Sequence, residues 1–207
     1  MILKDIEQTI IDLMVKNNLK NYYDIGANPT VKTIILFEEL LKNDINIFAF
    51  EPHPFGFTRL DATFYNSIKS FNVGIGNKDE SKILYSKKTD TCLSSFSLDF
   101  MHKKTSLTEF DEYECKIRRL DSFIDEHDLP QIDIIKIDSE DWESQVIESI
   151  PLESEPIILV EYHSKKVRLE VEDLLRYKYD QNIFFNYENR NIVRYFVYTS
   201  VNRAYTF

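Results

Sequence analysis

Glycine is nearly absent from this chain, with four in 207 residues. A phosphate cradle needs several in one loop, so that backbone N–H groups can close around the anion at a helix N-terminus. The one strand-to-helix turn placed to serve, at Gly26, has a single glycine and an acid beside it, which argues against a pyrophosphate-binding NAD or ATP site. Cysteine is rarer still. Cys92 and Cys115 stand far apart and in no metal-like spacing, so a reducing, cytoplasmic setting is the default. No apolar run approaches the roughly 20 residues of a membrane-spanning helix, so no membrane span is expected. Lys4, Asp5, Glu7 and Asp12 interrupt the first stretch, which does not read as a signal peptide. Basic residues are outnumbered, 25 against 35 acidic, for a net charge of −10; no nucleic-acid surface is expected.

What is present is a folding sequence. Hydrophobic residues make up 43% and aromatics 14%, and a chain of this size buries roughly 70% of its unfolded surface. Residues 1–207 therefore read as a single domain. Ile2, Leu3, Ile6, Ile10, Leu13 and Met14 recur at helical spacing and predict an amphipathic first helix. Five apolar runs follow, ending at Asp24, Glu51, Gly74-Ile75-Gly76, Asp138 and Glu161. The nearly continuous run Ile45 to Phe50 suits a strand covered on both faces.

Helices are expected between these runs, at about 30–42, 54–67, 120–128, 141–150 and 165–177. The first of them should bury Val31, Ile34, Ile35, Phe37, Leu40 and Leu41, and Asp121 or Ser122 should cap the third. From about 78 to 119 the pattern breaks into an insertion. There, strands at Ile83–Tyr85 and Tyr113–Ile117 bracket a polar loop around 91–97. Ile183 to Tyr187 and Ile192 to Thr199 read as a hairpin turning at 188–191. Its aromatics, Phe184, Phe185, Tyr187, Tyr195, Phe196 and Tyr198, read as core, with a sugar-stacking platform or a homodimer face as alternatives. The fold expected is α/β: a doubly wound, Rossmann-like, mostly parallel sheet closed by a C-terminal antiparallel hairpin.

Such sheets bind ligands beyond the C-terminal ends of their strands. Four of the five runs end there in a carboxylate: Asp24, Glu51, Asp138 and Glu161. In Asp24-Ile25-Gly26-Ala27-Asn28-Pro29, Gly26 frees the turn, Asn28 is the expected helix cap and Pro29 the first helical residue. Asp24 would repel a pyrophosphate and suit an ammonium or sulfonium, which points to S-adenosylmethionine. Glu51 would accept the ribose hydroxyls, Gly74 to Asn77 would flank the adenine, and Asp138 at the strand-order reversal should stand nearest a transferred methyl. Glu161 and His163 share one face on the acceptor side.

The segments Asp24-Ile25-Gly26-Ala27-Asn28, Phe50-Glu51-Pro52-His53-Pro54, Val73-Gly74-Ile75-Gly76-Asn77, Arg119-Leu120-Asp121-Ser122-Phe123 and Lys136-Ile137-Asp138-Ser139-Glu140 resemble, in order and spacing, the FkbM-type methyltransferases. The resemblance implies a class I methyltransferase sheet and S-adenosylmethionine as cofactor. It places Asp24, Gly26 and Asn28 around the methionine part, Glu51 on the ribose, and Asp138 and Glu140 near the reacting centre. It also implies O-methylation of a hydroxyl on a sugar or small metabolite. Two departures stand out: this chain has Thr30 and Asp141 where the family usually has glycine. They leave a second reading, an inactive adenosyl-binding or interaction module of the same fold. His163, near neutrality when unperturbed, is the first expected base and Asp138 the second. A metal on Asp138, Glu140 and Glu161 is the minor reading, and no metal site is assigned.

Overall fold

The structure is a computed structural model that describes residues 6–87, 90–188 and 191–206. The chain opens with helix α1 (Ile6–Lys16), whose Ile6, Ile10, Leu13 and Met14 are buried; Ile2 and Leu3 lie outside the described residues. Strand β1 (Asn21–Ile25), helix α2 (Val31–Lys42), strand β2 (Asn46–Phe50), helix α3 (Pro54–Thr63) and strand β3 (Lys69–Phe71) then alternate. After a detour come helix α5 (Leu120–Glu126), strand β8 (Ile134–Ile137), the short helix α6 (Glu143–Ile147) and strand β9 (Ile157–Glu161). Helix α7 (Lys165–Leu175) and the long strands β10 (Tyr179–Glu188) and β11 (Asn191–Ser200) close the fold.

These strands make one seven-stranded sheet in the order β10-β11-β9-β8-β1-β2-β3. From β9 to β3 neighbours pair parallel, and only the terminal hairpin runs antiparallel. Strand order reverses between β1 and β8. Alternation sends Ile134 to a core with Leu13, Phe37 and Leu60, and Ile135 and Ile137 to another with Phe123, Val146 and Val171. Both faces are thus covered, as the unbroken apolar runs require. The expected turn of the hairpin falls partly on 189–190, outside the described residues.

The detour differs from expectation. The third run breaks at Asn72-Val73. Its first half is β3, and its second, β4 (Gly74–Ile75), joins β5 (Glu80–Lys87), β6 (Asp90–Ser95) and β7 (Asp111–Arg118) in a separate four-stranded sheet ordered β4-β7-β5-β6. Strands β5 (Glu80–Lys87) and β7 (Asp111–Arg118) pair antiparallel as expected. The polar loop between them is instead strand β6 (Asp90–Ser95) and helix α4 (Leu98–Lys104), capped by Ser97. Polar strands such as β6 lack the apolar run that marks a buried one.

Capping and burial also shift locally. Thr30 caps α2, its hydroxyl accepting from the Thr33 N–H, so the cap falls two residues after Asn28. Leu36, Phe37 and Leu40 share the face of α2 that is buried, whereas Val31 and Ile35, one turn apart, lie off it and are 74% and 53% exposed. Arg119, not Asp121 or Ser122, is the N-cap residue of α5; the Asp121 carboxylate accepts from its guanidinium instead.

Candidate active site

The first turn is built by its glycine. Gly26 sits at φ +81, and a Cβ there would stand 2.0 Å from the Asp138 carbonyl oxygen. Its N–H donates to Phe50 O at 2.9 Å, while Asp138 N–H donates to Ile25 O at 3.0 Å. The ends of β1, β2 and β8 are thereby clamped together, and the acids that terminate them are forced into one space.

That space is a cavity of about 290 Å³. Asp24, Gly26, Asn28, Glu51, Gly74, Asp138 and Glu140 all line it. Among the expected cofactor residues, Asn77 does not: its amide donates to Glu148 Oε2 at 2.8 Å, and its carbonyl accepts from Arg119 at 2.7 Å. His163 and Glu161 do not line the cavity either, but stand directly behind Asp138 and Glu140.

Asp24 is fully buried and is not a bare anion. Lys136 Nζ lies 3.2 Å from its Oδ1, and the Tyr22 hydroxyl donates to Oδ2 at 3.1 Å. Burial raises its pKa, with Lys136 and Tyr22 opposing. Lys136 also reaches to 3.7 Å from Asp138. An expected lone carboxylate is therefore one member of an Asp24–Lys136–Asp138 row. Lys136 is directly opposite Asp24 in the β1–β8 pairing, and no reading of either strand alone reveals that.

Glu51 is buried at the end of β2. Its Oε1 accepts from the His53 N–H at 2.7 Å, and burial pushes the carboxyl up to about 8. His53 in turn caps α3, its ring nitrogen accepting from Phe55 and Gly56 N–H. Gly56 gives Glu51 its space, since a Cβ would come within 3.1 Å of Glu51 Cγ and Cδ.

His163 is 8% exposed and ringed by acids. Its Nδ1 lies 3.4 Å from Glu143 Oε1, and its Nε2 lies 3.3 Å from Glu140, 3.7 Å from Glu161 and 3.8 Å from Asp138. Burial opposes its charge, but the Glu143 hydrogen bond and the Glu140 and Asp138 carboxylates prevail and raise it to about 9. In its charged form His163 pairs with these acids, so it has to give up that proton before it can act as the expected first base. Glu140 is pushed up to about 8 and Glu161 to about 7, chiefly by burial.

The turn that carries Glu140 is strained. Glu140 has φ +51 and Asp141 φ +76. The left-handed backbone at 141 is the physical reason a glycine suits it. Asp141 Oδ1 is also buried without a hydrogen-bond partner among the described residues. Replacing Asp141 by Gly should therefore raise stability by about 1 kcal/mol, as strain and an unsatisfied acceptor outweigh the extra chain entropy of glycine. The urea midpoint measures it, and a lowered midpoint contradicts this account.

Sequence reading missed several lining residues. Lys136 and Trp142 stand inside or beside the quoted motifs. Lys32 and Thr33 come from the first turn of α2 and Phe96 from the residue after β6; Tyr195, read as core with sugar stacking as an alternative, reaches the cavity from the hairpin. Trp142 donates to Ile75 O at 3.2 Å, which ties the Asp141 turn to β4.

Comparison with known proteins bears on the family and the fold. The profile of the methyltransferase FkbM domain matches residues 24–190. No curated protein sequence matches the chain. Among solved structures, a putative O-methyltransferase from Klebsiella pneumoniae superposes with a TM-score of 0.50 at 10% identity, over 96% of this chain and 81% of that one. The METTL16 methyltransferase domain superposes at 0.58 and 13% identity, over 95% and 66%. The O-methyltransferase from Bacillus cereus, solved in complex with SAH, gives 0.52 and 8%, over 96% and 82%. At these identities the likeness is one of fold, the class I methyltransferase sheet.

Proposed function

The chain belongs to the FkbM methyltransferase domain family, whose profile spans residues 24–190, and from that membership we propose that it is an O-methyltransferase acting on a hydroxyl of a sugar or small metabolite. S-adenosylmethionine is its methyl donor. When bound, that cofactor supplies a methyl group made electrophilic by its sulfonium. The observation that carries the reading is that Asp24, Glu51 and Asp138, from the C-terminal ends of three strands of the large sheet, line one cavity with Gly74, the first residue of β4 in the small one.

The residues fit such a ligand. Glu51 offers a buried carboxylate with one oxygen left over from the His53 bond, suited to a diol. Gly74 presents backbone with no side chain to the cavity. Asp24 and Lys136, one acid and one base side by side, suit the ammonium and carboxylate of an amino acid. Asn28 and Thr30 lie along the same wall.

Catalysis by these residues is chiefly alignment, which can supply about 7–11 kcal/mol when reacting atoms are held in line. Asp138, at the reversal of strand order, orients the acceptor hydroxyl. Glu140 lines the same cavity with a buried Oε2 that accepts no hydrogen bond among the described residues, and in its ionised form, which prevails above a pH of about 8, it takes the hydroxyl proton.

Thermal unfolding with S-adenosylmethionine, S-adenosylhomocysteine and NAD tests the proposal. Either adenosyl ligand at 100 times its dissociation constant should stabilise the protein by about 2.7 kcal/mol, and NAD should not. Methyl transfer to a panel of sugars then tests the acceptor. No shift with either adenosyl ligand rejects the reading. A shift with no transfer to any hydroxyl favours the inactive adenosyl-binding module.

A further inference from the structure

A second cavity, of about 520 Å³, opens where the chain passes from β9 into α7, and Tyr162, His163, Lys165, Arg168, Leu169 and Glu172 line it. Its place ties it to the candidate active site. His163 belongs to its wall, and Nε2 of that histidine lies 3.3 Å from Oε2 of Glu140, which lines the first cavity. One imidazole therefore separates the carboxylate that takes the hydroxyl proton from a space large enough for a sugar ring.

Part of this wall is apolar and fixed. The Tyr162 hydroxyl lies 2.7 Å from that of Tyr198, and its ring meets Phe196 edge-on at 5.1 Å. Leu169 lines the same space and is 54% exposed.

The rest is cationic. The Arg168 guanidinium lies 4.5 Å from the centre of the Phe196 ring, and its Nε donates to Glu172 Oε1 at 2.6 Å. Neither of its Nη groups makes a hydrogen bond among the described residues. A guanidinium stacked and pinned in this way presents two parallel N–H donors to a carboxylate or phosphate, and loses little further freedom on binding it. Lys165, one turn earlier in α7, makes no ion pair among the described residues.

The charge is placed against the trend of the molecule. The chain carries a net −10, yet residues 164–168 hold three cations and no acid. On another side of His163, Phe100 meets its ring at 5.8 Å, and Lys104 Nζ lies 5.3 Å from the centre of the Phe100 ring. Cations grouped around an acidic site draw an anion toward it and hold that anion off the carboxylates.

We propose that the methyl acceptor is an anionic sugar, with its carboxylate or phosphate bound by Arg168 and Lys165 in this second cavity while a hydroxyl reaches past His163 to Glu140. The inference rests on the methyltransferase reading and names the substrate class of that same site. Tyr162 and Leu169 pack on the apolar face of the sugar. The O–CH3 bond forms as the S–CH3 bond breaks with its electron pair left on sulfur, and the hydroxyl proton passes to Glu140.

Matched sugars test this on the intact chain. Protein loaded with S-adenosylhomocysteine is titrated by calorimetry with neutral hexoses, the corresponding hexuronates and the hexose 6-phosphates. Methyl transfer from S-adenosylmethionine to the same panel is followed by mass spectrometry. An anionic member should bind at least about 100-fold more tightly than its neutral parent, as two charged hydrogen bonds imply. Whether the hexuronate or the phosphate leads identifies the anion. Arg168→Gln and Lys165→Ala should each raise its Kd and KM by about 10- to 100-fold, and leave the neutral parent and S-adenosylhomocysteine bound as before. Arg168→Lys keeps the charge without the fork and should recover only part of the loss. Unfolding curves establish that the Arg168 variants are folded, and Lys165 is exposed, so its replacement leaves the core untouched. Neutral sugars bound as tightly as anionic ones, anion affinity that neither substitution weakens, or no sugar bound at all overturns the inference. Any of these with S-adenosylhomocysteine still bound leaves the methyltransferase reading intact. Anion binding that both substitutions weaken, in a protein that binds no adenosyl ligand, keeps the anion site and rejects the methyltransferase reading.

Discussion

Alanine at position 26 is expected to cost about 3 kcal/mol of stability or more. Two independent penalties act there. The backbone at φ +81 disfavours any side chain, and the new Cβ would overlap the Asp138 carbonyl oxygen at 2.0 Å. That oxygen belongs to backbone, so it cannot swing away as a flexible side chain would. The Gly26 and Ala27 N–H groups both donate to Phe50 O, at 2.9 and 3.1 Å, so relief by moving the turn disturbs β2 as well. For a chain of this size the loss corresponds to a fall in Tm of about 6–12 °C. Thermal and urea unfolding measure it, and a variant as stable as the parent shows that the turn is built differently. Because the same turn brings Asp24 and Asp138 to one cavity, any surviving fold should also bind adenosyl ligands poorly.

The second large effect is at Glu51. Glu51→Ala should weaken S-adenosylhomocysteine binding by about 10²- to 10⁴-fold, the equivalent of two charged hydrogen bonds at about 1.5–3 kcal/mol each. Folding should suffer little, since the substitution removes a carboxylate that burial already penalises. The same carboxylate sets a pH dependence. Burial pushes it up to about 8, so below that pH the free protein holds a proton on Glu51. The ribose hydroxyls are donors and favour the ionised form. Binding must then expel the proton, and affinity should weaken as pH falls from about 8 toward 6, by up to about tenfold per pH unit. Calorimetry in buffers of different ionisation enthalpy reads the released proton directly. Affinity that is flat with pH and unchanged in Glu51→Ala removes Glu51 from the ribose.

How far the site was legible depends on what kind of information each part needs. Strands β1, β2, β8 and β9 are covered on both faces, so their apolar runs stand out, and the acids ending them mark one edge of the sheet without any structure. Strand β6 and helix α4 carry mixed polar residues over a small second sheet, and their periodicity gives no comparable signal. Asn28 and Thr30 are both good caps for α2, and only the backbone decides between them. Lys136 and Glu143 could not be assigned from sequence for a more general reason. The first acts through the register of β1 against β8, and the second through the position of α6 behind β9. Both are distances between elements, and both change the chemistry: one neutralises Asp24, the other fixes His163. The glycine that the family usually has at position 141 is a different case. The departure was visible as an added acid, whereas its larger consequence is the left-handed backbone beneath it.

The cavity wall carries its own fluorophore. Trp142 is the single tryptophan of the chain, packed on Phe96 at a ring separation of 5.6 Å and with Lys82 5.0 Å from its ring centre. It lines the cavity itself. Excited selectively, its indole emission reports polarity and quenching at that wall and at no other tryptophan. Entry of an adenine ring therefore has a built-in optical signal, and titrations need no label attached to the protein.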